Sequence, residues 1–378
     1  MRIAVNTRLL IKDRLEGIGW FTYETLRRIT RQHPEHEFIF IFDRPYTQDS
    51  IFSDNVIPVV IGPKARHAFL FVIWFEISVK KILKKYKADI FISPDGYLSL
   101  RSKIPSLQVI HDINFEHYPE FIPFWARKHY KYFFPRYAAK AERIATVSEF
   151  SKKDIVETYK VTSDKIDVTY NGANENYIPL SLIEKTEIRN KFSSSCEYFL
   201  FVGSLHPRKN LKNLINAFGI FKEKNKSDIK LLIVGDKYWG NKEMQETYEK
   251  NSVKNEIIFT GRLNNDELKS VYGAALALCY VSIFEGFGIP IVEAMYCDVP
   301  VITSNTSSMP EVGGDAVLFA DPFSVDSIEN ALEEIYSKPE LRKELIEKGR
   351  VQRQKFSWQK TSDNLWKSIS VLIDKYSL

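Results

Sequence analysis

Short apolar runs rich in β-branched and aromatic residues recur along the chain, each followed by a longer stretch whose apolar positions fall at helical spacing. In the first half the runs cover residues 3–5, 38–42, 57–61, 89–93, 108–111 and 143–147, with helix-compatible stretches near 19–32, 66–86, 124–140 and 149–159. That alternation predicts a parallel sheet wrapped by helices. After Val168-Thr169-Tyr170 the turn Asn171-Gly172 and a polar stretch to about residue 185 interrupt the rhythm, which marks a domain boundary. The alternation restarts at 198–202, 230–234, 256–260, 276–281, 299–303 and 317–320, a second doubly wound lobe. Phe356-Ser357-Trp358 then opens a last helix with Ser357 as its N-cap. The expected division is 1–178, 179–356 and a terminal helix over 357–378. Ligands of open parallel sheets bind beyond the carboxyl ends of the strands, so two facing lobes would leave a cleft lined by motifs at those ends.

A length of 378 residues suits two domains, each burying its own core, and 44% apolar with 27% charged residues describes a folded globular chain. The net charge of +5 is unevenly spread: residues 1–175 hold 27 Lys and Arg against 21 Asp and Glu, the remainder 26 against 27. Nucleic acid is disfavoured as a partner, because no finger spacing, RNP-like motif or compact basic tail accompanies that excess. Cys196, Cys279 and Cys297 are odd in number and lack metal-like spacing, which argues for a reducing compartment and for three buried small hydrophobes. The chain opens directly into a strand without an apolar signal region, so a cytoplasmic location is expected. Its longest apolar run, 68–77, falls short of the roughly 20 residues that span a bilayer.

The densest chemistry lies in Glu285-Gly286-Phe287-Gly288-Ile289-Pro290-Ile291-Val292-Glu293. Gly286 and Gly288 allow a tight turn with close approach of the backbone to a ligand, and Pro290 suits the first position of a helix. A helix N-terminus attracts anions through its unpaired N–H groups, which Phe287, Gly288 and Ile289 would supply. Carboxylates accept hydrogen bonds from paired hydroxyls. Glu293, read as lying in the first helical turn, suits a ribose diol, and Glu285 suits a sugar; together they suggest a nucleotide sugar. Stabilisation of the helix dipole by Glu293 and an exposed loop acid at Glu285 are the plainer alternatives. Arg208 and Lys209, in His206-Pro207-Arg208-Lys209-Asn210 after a strand, would hold a diphosphate. Glu16-Gly17-Ile18-Gly19 precedes a helix expected near Trp20, where Gly17 and Gly19 admit a phosphate; Thr22 stands where a dinucleotide fingerprint needs glycine, which disfavours a nicotinamide dehydrogenase.

The two Glu separated by seven residues, the flanking Phe201 to Asn210 text and Pro310-Glu311-Val312 resemble the retaining glycosyltransferases of family 4 with the two-domain GT-B fold. The resemblance spans nearly the whole chain and is strongest from about 199 to 322. It implies that Glu293 meets the ribose, Glu285 the donor sugar, and Arg262 and Leu263 the base through their backbone, with Gly235 and Asp236 as weaker contacts. It also implies that His111 meets the reactive face of the sugar through its ring or its carbonyl. Asp112 either holds that His or caps the next segment. The terminal helix would cross back onto the first domain. Ser204 departs from the family pattern, which often carries Arg there, so Arg208 would bear more of the charge. Val109-Ile110-His111-Asp112 followed by Tyr118-Pro119 looks like bacterial mannosyltransferases and makes GDP-mannose the first guess for the donor.

No Asp-x-Asp motif occurs, so no metal or other cofactor is expected, and loop amides with Arg208 and Lys209 would neutralise the leaving phosphate. The expected acceptor is a growing surface polysaccharide or lipid-linked glycan. A nucleotide-sugar epimerase of the same fold and a non-catalytic sugar or nucleotide sensor are the rival readings. Phe69 to Phe75 followed by Lys80, Lys81, Lys84, Lys85 and Lys87, together with the aromatic and basic stretch 121–136, match both a peripheral site for an anionic membrane and a core helix with a solvated lysine end.

Overall fold

The computed structural model describes residues 1–11, 15–65, 67–174, 176–235 and 242–376, and within them the apolar runs become two parallel sheets. The chain divides into one unit of Met1–Gly172 with Trp358–Leu378 and a second of Ala173–Ser357. The first unit thus ends six residues before position 178, at Gly172.

In the first unit the strands are β1 (Arg2–Asn6), β2 (Glu37–Phe42), β3 (Val56–Val60), β4 (Ile90–Ser93), β5 (Ser106–Ile110), β6 (Arg143–Thr146) and β7 (Ile166–Val168). They pair in parallel in the order β3-β2-β1-β4-β5-β6-β7. Strands covered on both faces must be apolar throughout. Phe38, Ile39, Phe40, Ile41 and Phe42 of β2 are accordingly buried, each worth about 1.5–3 kcal/mol relative to exposure. Strand β7 is absent from the expected six because its three residues form an edge with one buried position, too short for a periodic signal. The helix Gly17–Gln32 begins a turn earlier than Trp20. The stretch 66–86 is helical over Ala68–Lys85, with a π-helical segment, Trp74–Val79, in its middle. Its buried Glu76 accepts hydrogen bonds from the Ser99 hydroxyl and the Leu100 and Arg101 amides, tying the helix to the loop after β4. The C-terminal helix, Trp358–Tyr376, packs on the Gly17–Gln32 helix: Trp366 stacks on His33 with centroids 3.5 Å apart, and the Thr361 hydroxyl donates to the Tyr170 carbonyl at 2.6 Å.

The second unit has β8 (Tyr198–Val202), β9 (Lys230–Val234), β10 (Ile257–Gly261), β11 (Ala277–Tyr280), β12 (Val301–Ser304) and β13 (Leu318–Ala320), in the parallel order β10-β9-β8-β11-β12-β13. The helices Leu211–Asn225 and Val325–Ser337 pack together over it through Leu214, Phe218, Phe221, Ile328 and Leu332. At the carboxyl end of β9 only glycine fits at 235, since a Cβ there would lie 1.9 Å from the Gly203 carbonyl oxygen. Each sheet reverses its winding once, between β1 and β4 and between β8 and β11. Such switch points open a crevice beyond the strand ends.

Candidate functional site

At the switch point of the second unit, the segments after β8 and β11 interlock. Asn210, held in the left-handed region at φ 60°, donates from its buried amide to the Val281 and Pro322 carbonyls at 3.0 and 2.7 Å. The Ile283 amide donates to the Arg208 carbonyl at 2.9 Å. These bonds fix where the two preceding cations point. Arg208 Nη1 lies 2.5 Å from Glu285 Oε2 and donates to the Phe284 carbonyl at 2.7 Å. Lys209 Nζ lies 2.7 Å from Glu285 Oε1 as an ion pair, and donates to the Tyr280 hydroxyl at 2.6 Å. Glu285 is buried, not an exposed loop acid. Burial pushes its carboxyl up, but the Arg208 and Lys209 charges win and hold it down at about 2. The three groups carry a net charge of one plus in a poorly solvated place, where an anion gains far more than in water.

The loop from Glu285 to the helix Ile289–Tyr296 is held by hydroxyls from the last residue of β12 and the segment after it. Ser304 donates to the Ser282 carbonyl at 2.6 Å, Thr306 to Ile283 at 3.1 Å, and Ser308 to both Glu285 and Phe287 at 2.9 and 3.0 Å. The Glu285 amide donates back to the Ser307 hydroxyl at 3.1 Å. With carbonyls of Glu285 and Phe287 turned to Ser308, the loop keeps one conformation around Gly286. Gly288 sits at φ 103°, which side chains rarely adopt, and leads into the helix with Pro290 at its second position, one later than expected.

Glu293 is the fifth residue of that helix, so it lies in the second turn and not in the first. A dipole role fades beyond the first turn, which removes the plainer reading of this acid. Tyr272, on the helix Asn265–Ala274, donates to its Oε2 at 2.8 Å, and Tyr177 is a second hydrogen-bonding partner. Its residue surface is half-buried, yet the carboxyl is deeply packed, and burial pushes it up to about 7 against the pull of the two hydroxyls. Arg262 is exposed and Leu263 half-buried just beyond β10, before Asn264 caps the next helix in a capping box with Glu267. Gly235 follows β9, with its amide donating to the Gly261 carbonyl at 3.1 Å; Asp236 lies outside the described residues.

The other sequence candidates belong to the first unit. His111 follows β5, and its Nε2 lies 2.8 Å from the Pro94 carbonyl, an acceptor only, so Nε2 carries the proton. Burial lowers the pKa of the ring, which is neutral at pH 7, while Phe21 packs edge-on at 4.9 Å and Ser151 donates to the His111 carbonyl at 3.3 Å. Asp112 accepts from the Asn114 amide at 3.1 Å, two residues on, and Ile113 is the cap of the short helix that follows. Gly17 and Gly19 occupy the first turn of their helix: a Cβ on Gly19 would meet the Leu9 carbonyl oxygen at 3.2 Å, whereas one on Gly17 would meet nothing within 4 Å. At this unit's switch point sequence reasoning missed a buried polar group in which Asp95 accepts from Asn6 at 2.8 Å and from Arg8 Nε at 2.5 Å.

Arg208, Lys209 and Glu285 therefore meet, with Glu293 further along the same loop and helix. Sequence reasoning also missed Tyr177, Tyr272 and the hydroxyls at and after the end of β12. Their signal was available in part, as five Ser or Thr in the six positions 303–308 following an apolar strand. Among the described residues no three of His, Cys, Asp or Glu converge as a metal-holding group, and no helix is long and apolar enough to cross a membrane. Cys279 and Cys297 are buried, whereas Cys196 is half-exposed and departs from the expectation of three buried thiols.

The family model described as Glycosyl transferases group 1 matches residues 183–352, and that of Glycosyltransferase Family 4 matches residues 15–177. O-antigen chain mannosyltransferase B of Escherichia coli is 31% identical over 73% of this chain and 73% of its own length. O-antigen chain mannosyltransferase RfbU of Salmonella typhimurium is 31% identical over 61% of each chain. In fold, the chain is similar to Alr3699/HepE of Anabaena, solved in complex with UDP and glucose, with a TM-score of 0.77, 15% identity and coverage of 98% of this chain and 99% of that one. With both halves matched, two switch-point sheets in sequence and a relative this similar over most of its length, the chain belongs to the group 1, family 4 glycosyltransferases of the GT-B fold.

Proposed function

We propose that this glycosyltransferase moves mannose from GDP-mannose, with retention of configuration, to a growing surface polysaccharide or lipid-linked glycan. The observation that carries this reading is the convergence of Arg208 and Lys209 on Glu285 at a switch point, with Glu293 on the following helix. The sugar and its use are supported by the two relatives named O-antigen chain mannosyltransferases.

In this reading the diphosphate lies against Arg208, Lys209 and the amides of Gly288 and Ile289, while the hydroxyls of the sugar reach Glu285 and those of the ribose reach Glu293. The bond from the sugar's C1 to the β-phosphate oxygen breaks, its electron pair stays on the phosphate, and a sugar with oxocarbenium character remains. The acceptor hydroxyl adds to C1 on the face that the phosphate leaves, and its proton passes to the phosphate. Buried cations at the developing charge supply the largest stabilisation, so the reaction needs no metal. Arg262 and Leu263 lie near the base.

For the acceptor side we favour a cytoplasmic, peripheral position on an anionic membrane, a compartment that three unpaired cysteines suit. In the Lys80-containing segment Trp74, Phe75, Val79 and Leu83 are buried, which leaves Phe69 and Ile77 as its exposed large apolar residues. The helix Phe124–Lys140 is the better candidate: Trp125 is 76% exposed, Phe124 and Tyr132 more than half, and Lys128, Lys131 and Arg136 are exposed among them. Aromatic side chains flanked by lysines fit a headgroup region.

Screening nucleoside diphosphates and their sugars by ligand-induced thermal stabilisation tests the donor. GDP and GDP-mannose are expected to raise the melting temperature most; preferential stabilisation by uridine or adenine nucleotides would exclude the guanine donor. An epimerase would convert the donor without an acceptor, and a sensor would bind it without turnover.

A further inference from the structure

Two tyrosines outside every sequence motif converge on one acid. Tyr272 Oη lies 2.8 Å from Glu293 Oε2, and Tyr177, in the segment between β7 and the helix Leu182–Ser193, hydrogen bonds to the same carboxyl. Both rings are buried and meet edge to face, with centroids 5.4 Å apart and planes at 79°. Packing alone would be served by phenylalanine. The other titratable groups beside these three are the Cys297 thiol, one turn along the Glu293 helix, and the Tyr280 hydroxyl beyond Tyr272. Burial and the neighbouring Glu293 push both phenols well above the usual tyrosine range, so at neutral pH they stay protonated and able to donate to the carboxylate. A carboxylate offers about four lone-pair positions, and two phenols leave about two.

We propose that Tyr177 and Tyr272 are positioning residues for donor binding, holding the Glu293 carboxylate in one orientation with its remaining acceptor positions directed to the paired ribose hydroxyls of a nucleoside diphosphate. The inference rests on the reading of Glu293 as the ribose acceptor. Hydrogen bonds to the charged form of an acid favour that form. Taking the phenols away therefore leaves an acid that is harder to ionise as well as less well aimed, and burial already opposes its charge.

The test is calorimetric titration of the full chain with GDP and with 2′,3′-dideoxy-GDP between pH 6 and 9. It compares wild type with Tyr177→Phe, Tyr272→Phe and Glu293→Gln, each checked for an unchanged fold by its melting curve. Wild type is expected to prefer GDP, with an affinity that rises through about pH 7. Each Phe variant should lose roughly tenfold in GDP affinity near neutrality, with the midpoint moved to higher pH, partial recovery at pH 9 and no change toward the dideoxy nucleotide. Phe variants with wild-type affinity and midpoint, beside a weakened Glu293→Gln, would overturn the positioning role and leave the ribose reading intact. An equal loss for both nucleotides at every pH would mean general loosening and would also overturn it. If wild type and Glu293→Gln bind the two nucleotides alike, the ribose reading fails and the positioning role with it.

Discussion

Arg208 Nη1 lies 2.5 Å from Glu285 Oε2, and the two residues reach each other across the switch point between β8 and β11. Lys209 meets the other oxygen at 2.7 Å, so one buried carboxylate orients two cations. In this arrangement the acid aligns the positive charge of both side chains. Breaking a buried pair on one side leaves an uncompensated charge.

Arg208→Ala leaves Glu285 paired with Lys209 and should cost less stability than Arg208→Ala with Lys209→Ala, which strands the buried carboxylate and should cost about 3–5 kcal/mol. The double variant Arg208→Ala, Lys209→Ala should lower turnover at least about 100-fold. Adding Glu285→Gln to the double variant should restore most of the melting temperature and none of the activity, because the stranded charge is gone and the phosphate ligands are not regained. Thermal unfolding and initial rates on the three proteins check this. Recovery of activity would show that the cations serve only the acid.

Glu293→Ala should weaken GDP binding by about 1.5–3 kcal/mol, the worth of hydrogen bonds to a charged acceptor. Glu285→Gln should lower turnover more than GDP affinity, since its place in the reading is at the sugar. Calorimetry with GDP separates the two, and unchanged affinity in Glu293→Ala would remove the ribose assignment.

The two acids should also pull stability in opposite directions as pH changes. Glu285 has its folded pKa depressed to about 2, below the ordinary 4.5, so its contribution is complete above about pH 4.5 and is lost as pH falls toward 2. Glu293 has its folded pKa raised to about 7, so its contribution is complete below about pH 4.5 and is lost as pH rises through 7. Melting temperatures across pH should show Glu293→Gln flattening the neutral limb and Glu285→Gln flattening the acid limb. The reverse assignment of the limbs would contradict the burial and charge account of the site.

Much of this was legible in the sequence because it rests on local pattern. Doubly covered strands such as Phe38 to Phe42 are apolar at successive positions, and the glycines at 286 and 288 announce a tight turn before a helix. The edge strand Ile166–Val168 was not, since three residues carry no period. The ion pairing of Glu285 with Arg208 was not either: it joins residues 77 apart, and only the strand order brings them together. The same holds for Tyr272, 21 positions before Glu293 and in sequence an ordinary core aromatic. The placing of Glu293 in a first turn failed because the helix starts at Ile289, not at Pro290, and the acid lies four residues further on.

If the helix Phe124–Lys140 docks on lipid, binding to anionic vesicles should exceed binding to neutral ones and fall with added salt. Trp125→Ser combined with Lys128→Gln and Lys131→Gln should reduce it several-fold without changing GDP affinity, whereas Lys80→Gln with Lys84→Gln should reduce it less. Equal sedimentation of all three proteins with anionic vesicles would remove this helix as the docking face.

The most direct test of the reading as a whole is release of GDP from GDP-mannose in excess EDTA, with and without a mannose-terminated glycan acceptor. The account predicts GDP release that depends on the acceptor, matches the mannose incorporated, persists in EDTA and is lost in Glu285→Gln. Loss of all release in EDTA with recovery on adding Mg²⁺ or Mn²⁺, or conversion of the donor sugar without acceptor, would contradict it.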